Sequence, residues 1–178
     1  MPRQLLISIV SGLALAAGAL AAGPPSPSVS ASPVASSQHV YSTWSSLLEV
    51  DKAASIWLIR RHIDPEARFR FLPRGERIRE GTSFEVPFAD LTRAPNESLF
   101  GTLLATRVEE PDAALLYIAR IVHDAEVNVW AEKQVAETEG VERIVAGLAA
   151  GGPSEDALVE RVLVVFDALA LGLKERLR

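Results

Sequence analysis

Apolar residues crowd Ala53–Ile59 so densely that only Ser55 interrupts them. A helix that is apolar on nearly every face has to be enclosed by the rest of a fold. Asp51, just ahead of the run, suits an N-cap, since its carboxylate can accept from a first-turn N–H. Arg60 and Arg61 close the run, and Pro65 forbids a helix from continuing past Asp64. The period then changes to two: Arg68-Phe69-Arg70-Phe71 predicts a strand over Ala67–Leu72 with both phenylalanines inward. Pro73-Arg74-Gly75-Glu76 is a turn signal. Thr82–Phe88 alternates again and predicts a second strand, with Pro87 at its end or edge. His39–Leu48 has no clear period; Trp44, Leu47 and Leu48 are expected to pack as a lead-in to the first helix.

Beyond Phe88 the pattern is helical. A short helix is expected over Ser98–Val108, with Leu99 and Leu103 on one face. A stronger one spans Asp112–Glu126, where Leu115, Ile118, Ile121, Val122 and Ala125 recur at helical spacing after Pro111. Val135–Ala149 follows, stopped by Gly151-Gly152-Pro153. Ser154 then caps a last helix that carries Leu158, Val162, Val165, Phe166, Leu169 and Leu173. Two strands are too few to stand alone, so a small sheet covered by helices is expected. The fold class predicted is mainly α with a small β-sheet, α+β, in a single compact domain over residues 41–178.

The N-terminus reads differently. Met1–Ala22 has a basic Arg3, an apolar stretch over Leu5–Leu20 and a small-x-small site at Ala19-Leu20-Ala21, the pattern of a cleavable signal peptide. Residues 23–40 are rich in proline and serine and are expected to form a linker. Export to the periplasm or beyond is therefore expected, with no stable membrane anchor after cleavage. Cleavage after Ala21 would take the net charge from −5 to −6 through loss of Arg3 alone.

Composition narrows the function. With 178 residues and 48% apolar side chains, the chain can build one real core. Its acidity argues against nucleic acid as a partner, because phosphate binding needs a basic surface. The absence of cysteine from the sequence excludes disulfides, thiolate metal sites and thiol redox chemistry. No haem, flavin or nucleotide motif occurs, and a cofactor cannot be named.

Three places carry candidate chemistry. Arg60 and Arg61 could grip a tetrahedral oxyanion, since guanidinium forks match its shape and charge. The same pair equally suits a helix C-terminus, and Asp64 lies four residues from Arg60, within pairing reach. His123, Asp124 and Glu126, with Glu85 as a further donor, could ligate a divalent metal, or they could be an ordinary polar helix end. Asp167 is the only charge within Val162–Leu173 and must be paired, neutral or exposed. Arg60 or Arg61 is the expected partner, because the first and last helices are the two most apolar and should pack together.

Some of these residues also carry a family resemblance. Asp51-Lys52, Trp57-Leu58-Ile59-Arg60-Arg61 and Ile63-Asp64-Pro65-Glu66 resemble the chromate-resistance family, specifically the C-terminal domain of ChrB-type proteins. Ile121-Val122-His123-Asp124-Ala125-Glu126 and Phe166-Asp167-Ala168-Leu169 fit the same pattern, so that the resemblance covers roughly residues 45–173. It implies a role in resistance to chromate, through regulation or assistance of an exporter. The chain departs from the pattern at Ser55-Ile56, where many members have a cysteine before the tryptophan. It departs again at Arg93–Ser98, where many have histidine and cysteine. The family's usual N-terminal regulatory portion is expected to be replaced here by the signal peptide and linker. The function expected is an exported accessory protein that binds chromate or a related oxyanion without catalysis. The alternatives are a metal-dependent enzyme using His123 and nearby carboxylates, and a diverged structural or interaction domain.

Overall fold

A computed structural model describes residues 39–45 and 48–178, all of them within one compact unit. The expected signal peptide, most of the linker and Leu47 lie outside the described residues. The chain runs β1 (Val40–Trp44), α1 (Val50–Leu58), a π-helical turn (Ile59–Ile63) and β2 (Arg68–Leu72). It goes on through β3 (Thr82–Ser83), α2 (Leu99–Arg107), α3 (Ala113–Glu126), α4 (Thr138–Leu148) and α5 (Glu155–Arg176). The class is the one expected, an α-rich α+β domain with a small sheet.

The sheet has the order β2-β1-β3, and both pairings are parallel. Parallel neighbours need a crossover, and α1 with its π turn supplies it between β1 and β2. That topology explains the run of apolar residues. A crossover helix covered again from outside has no solvent face, and all nine residues of α1 are buried. Helices α2, α3, α4 and α5 all pack on it. Ile56, Leu58 and Ile59 join Leu99, Phe100, Ile118, Ile121, Val122, Val162 and Phe166 in one core.

Two sequence expectations change. β1 is the central strand although its sequence has no clear period, because Ser42 and Thr43 are both buried and the usual polar-out alternation is absent. Ser42 Oγ donates to the Glu80 carbonyl at 2.8 Å. The strand expected over Thr82–Phe88 stops after Ser83, followed only by a bridge from Phe84 to Leu91. Glu85 then takes a left-handed backbone, φ 51°, which turns the chain out of the sheet. The Asp90 carboxylate takes the Ser83 N–H at 2.8 Å, in place of a further strand partner. Gly81, φ 76°, precedes this edge, and a side chain there would run into the Val40 carbonyl.

Candidate functional site

The Asp51 carboxylate does not cap its own helix. Asp51 lies inside α1, whose N-cap is Glu49 without a side-chain bond. Its fully buried carboxylate reaches instead to the start of α2, accepting from Leu99 N at 2.6 Å and Phe100 N at 2.7 Å, with Ser55 Oγ at 3.3 Å. The first turn of α1 is served from α3: Glu126 Oε1 accepts from Val50 N at 2.8 Å and, more weakly, from Asp51 N at 3.4 Å. Three helices are thus tied by carboxylates that each satisfy another helix's unpaired N–H groups.

Around this knot the charges are dense. Arg93 Nη2 stands 3.2 Å from Asp51 Oδ2 and 3.0 Å from Glu85 Oε2, bridging the two carboxylates. Burial pushes Glu85 up to about 7, reinforced by the Asp51 charge and opposed by Arg93 and Lys52. Asp51 is raised by burial against the bonds from Phe100 and Leu99. Glu126 is likewise raised, first by burial and then by the Glu49 charge. Lys52, only 2% exposed, is lowered by burial despite Glu49, Glu85 and Glu126. Groups shifted together in this way are a common mark of functional sites.

The other candidates are dispersed. His123 Nδ1 lies 3.2 Å from Glu97 Oε1, and both line a cavity of about 660 Å³ with Arg120, Asn128 and Gln134. Glu97 folds back over the first turn of α2, where it accepts from Ser98 N at 2.8 Å. It fits because residue 101 is glycine, since a Cβ there would fall 2.5 Å from its carboxylate oxygen. Asp124 is buried and fully used. It accepts from Asn128 Nδ2, Gln134 N, Val135 N and Thr138 Oγ1 at 2.8–3.0 Å, which shapes the chain between α3 and α4. Burial alone would raise Asp124, but these bonds together hold it well below the usual carboxylate range.

The metal set expected from His123, Asp124, Glu126 and Glu85 is therefore not assembled. His123 turns to Glu97, Asp124 to the loop after α3, Glu126 to the start of α1 and Glu85 to Arg93. Among the described residues no group of three or more histidines and carboxylates is arranged to hold a metal ion.

Arg60 and Arg61 also part company, because successive residues on a helix diverge by about 100°. Arg61 pairs with Asp167, Nη2 to Oδ2 at 2.7 Å and Nε to Oδ1 at 3.1 Å, and Trp57 Nε1 donates to the same carboxylate at 2.8 Å. The pair is half-exposed, 42% and 44% at the two side chains, not buried as the helix packing suggested. The bond from Arg61 holds Asp167 below its ordinary range, and Trp57 adds to it. Asp64 does not pair with Arg60; it accepts from His39 Nδ1 at 2.8 Å and Glu66 N at 3.1 Å. Arg60 donates to the Ala67 carbonyl and lines a cleft of about 440 Å³ between β2 and α5, joined there by Arg68 and Arg70. These two were missed as site residues because their alternation with Phe69 and Phe71 marked them only as the outward face of a strand.

Fold and motifs together define an α+β domain organised around a buried Asp-Lys helix. The chain belongs to the ChrB C-terminal domain family of chromate-resistance proteins, which it matches over residues 41–172. It is 34% identical over 126 residues to Protein ChrB of Cupriavidus metallidurans, an alignment that takes in 68% of this chain and 37% of that protein. The chain thus spans little more than a third of the length of this relative. No solved structure matches the chain.

Proposed function

We propose that this chain is an exported accessory protein of chromate resistance that binds a tetrahedral oxyanion in the cleft between β2 and α5. The observation that carries the reading is the gathering of Arg60, Arg68 and Arg70 around one cleft. Three guanidinium groups offer forked, charge-assisted donors of the kind a tetrahedral dianion takes. Arg70 is engaged by Glu80, while among the described residues Arg68 takes part in no ion pair. Asp156 and Glu160 of α5 also line the cleft and limit affinity for an anion, so binding is expected to be salt-sensitive. Export rests on the N-terminal pattern. Among the described residues no helix is long and apolar enough to cross a membrane.

The test is thermal unfolding with chromate or sulfate added. Ligand that binds the folded state raises the melting temperature. Arg60→Gln and Arg68→Gln should each abolish most of the rise, whereas Arg61→Gln, whose guanidinium is held by Asp167, should keep it. Equal response in all three variants would remove the cleft from the reading. Mass spectrometry of the periplasmic fraction should find the protein beginning at or near Ala22; retention of Met1–Ala21 on membranes would refute export.

A further inference from the structure

Lys52 stands out from the other two lysines. Its side chain is almost wholly withdrawn from bulk solvent, yet it lines a cavity of about 330 Å³ walled by Leu48, Phe71, Ala149, Pro153 and Leu158. Lys133 is paired with Glu142 at 3.1 Å and Lys174 with Asp112 at 2.9 Å, each at the surface or close to it. Lys52 Nζ donates to the Trp44 carbonyl at 3.2 Å, which anchors the amine beside the end of β1. The carboxylates that bear on it come from three directions: Glu49 ahead of α1, Glu85 after β3 and Glu126 from α3.

We infer that Lys52 is a carbonyl-reactive amine whose cavity admits a small apolar aldehyde or ketone and holds it as an imine. The argument joins three features. A lysine removed from water loses part of the advantage of its charged form, and burial lowers Lys52 even against those three carboxylates. The neutral amine is the nucleophile, so the desolvated lysine is the one primed for Schiff-base formation. The walls are mainly apolar, and Glu155 in the same cavity accepts from Phe71 N at 3.2 Å, which fixes a carboxylate there.

The step balances without a further reagent. The amine lone pair forms a C–N bond to the carbonyl carbon, and the carbonyl π pair moves to oxygen. One proton passes from nitrogen to that oxygen, with Glu155 available as the relay. The second N–H proton leaves with the hydroxyl, giving the C=N bond and one water. This inference is independent of the arginine-lined cleft, which lies elsewhere in the domain.

The whole protein can be tested as it stands. It would be incubated with hexanal and cyanoborohydride near neutral pH, the reductant serving only to trap the imine, and then mapped by peptide mass spectrometry. Lys52 is expected to be alkylated on the order of tenfold faster than Lys133 or Lys174, and the difference should vanish in urea. The exposed Ala149→Phe variant, which fills the cavity from its rim, should slow Lys52 alone. Preferential labelling of Lys133 and Lys174 with Lys52 spared in folded protein would overturn the inference. So would an unchanged Lys52 rate in Ala149→Phe.

Discussion

Glu85 is the residue on which the buried charges converge, and its behaviour with pH follows from its surroundings. Its side chain is 9% exposed, beside the like charge of Asp51, so the folded protein binds its proton more tightly than the unfolded chain. Between the ordinary value of 4.5 and the folded value of about 7, the folded state carries more protons than the unfolded one. Stability from this group is therefore full below about 4.5 and is lost as pH rises through about 7. Its ceiling is roughly 3 kcal/mol at ~1.36 kcal/mol per pH unit. Glu85→Gln should flatten the fall in stability between pH 5 and pH 8, as measured by urea unfolding. A variant with the same slope as the parent would show that Glu85 does not hold that proton. None of this was legible as a site in the sequence. Glu85 looked like an outward strand position, and only its left-handed backbone and Arg93 turn it toward Asp51.

At the scale of elements, the helices were legible because burial imposed their period, while their ties were not. Ser154 and the start of α5, the run of α1 and the face of α3 all follow from local pattern. Asp51 looked like the cap of its own helix, and nothing local says that it serves α2, 48 residues further on. The two kinds of carboxylate should separate in a stability measurement. Asp51→Ala strips two buried N–H groups of their acceptor and leaves Arg93 facing Glu85 alone. Its expected cost is about 3–5 kcal/mol. Asp167 was legible as a partner of the arginine pair, but its exposure changes the magnitude. A double-mutant cycle on Arg61 and Asp167 should give a coupling of only about 0.5–1 kcal/mol. If chemical denaturation finds Asp51→Ala as mild as Asp167→Asn, the knot between α1 and α2 is not holding the helices together.

For the whole molecule, the sequence announced its hub without announcing the sheet that makes it one. A helix apolar all round must be enclosed, but whether by helices alone or by a parallel crossover depends on β1, whose buried Ser42 and Thr43 hide it from pattern reading. Because α1 bridges β1 and β2 in the chain and packs on α2, α3, α4 and α5, loss of its packing removes support from the sheet and the outer helices together. One cooperative transition is the expected consequence. The tryptophans allow a direct test. Trp57 of α1 is 2% exposed, stacked 6.0 Å from Phe166 of α5, whereas Trp130 is 97% exposed. In a Trp44→Phe, Trp130→Phe variant, Trp57 is the only tryptophan left, and its emission reports the centre of the domain alone. Its urea transition should coincide with the loss of helical ellipticity in midpoint and slope. If helix signal were lost before Trp57 moved, the outer helices would be separable from the hub. The single-core account of this domain would then fail.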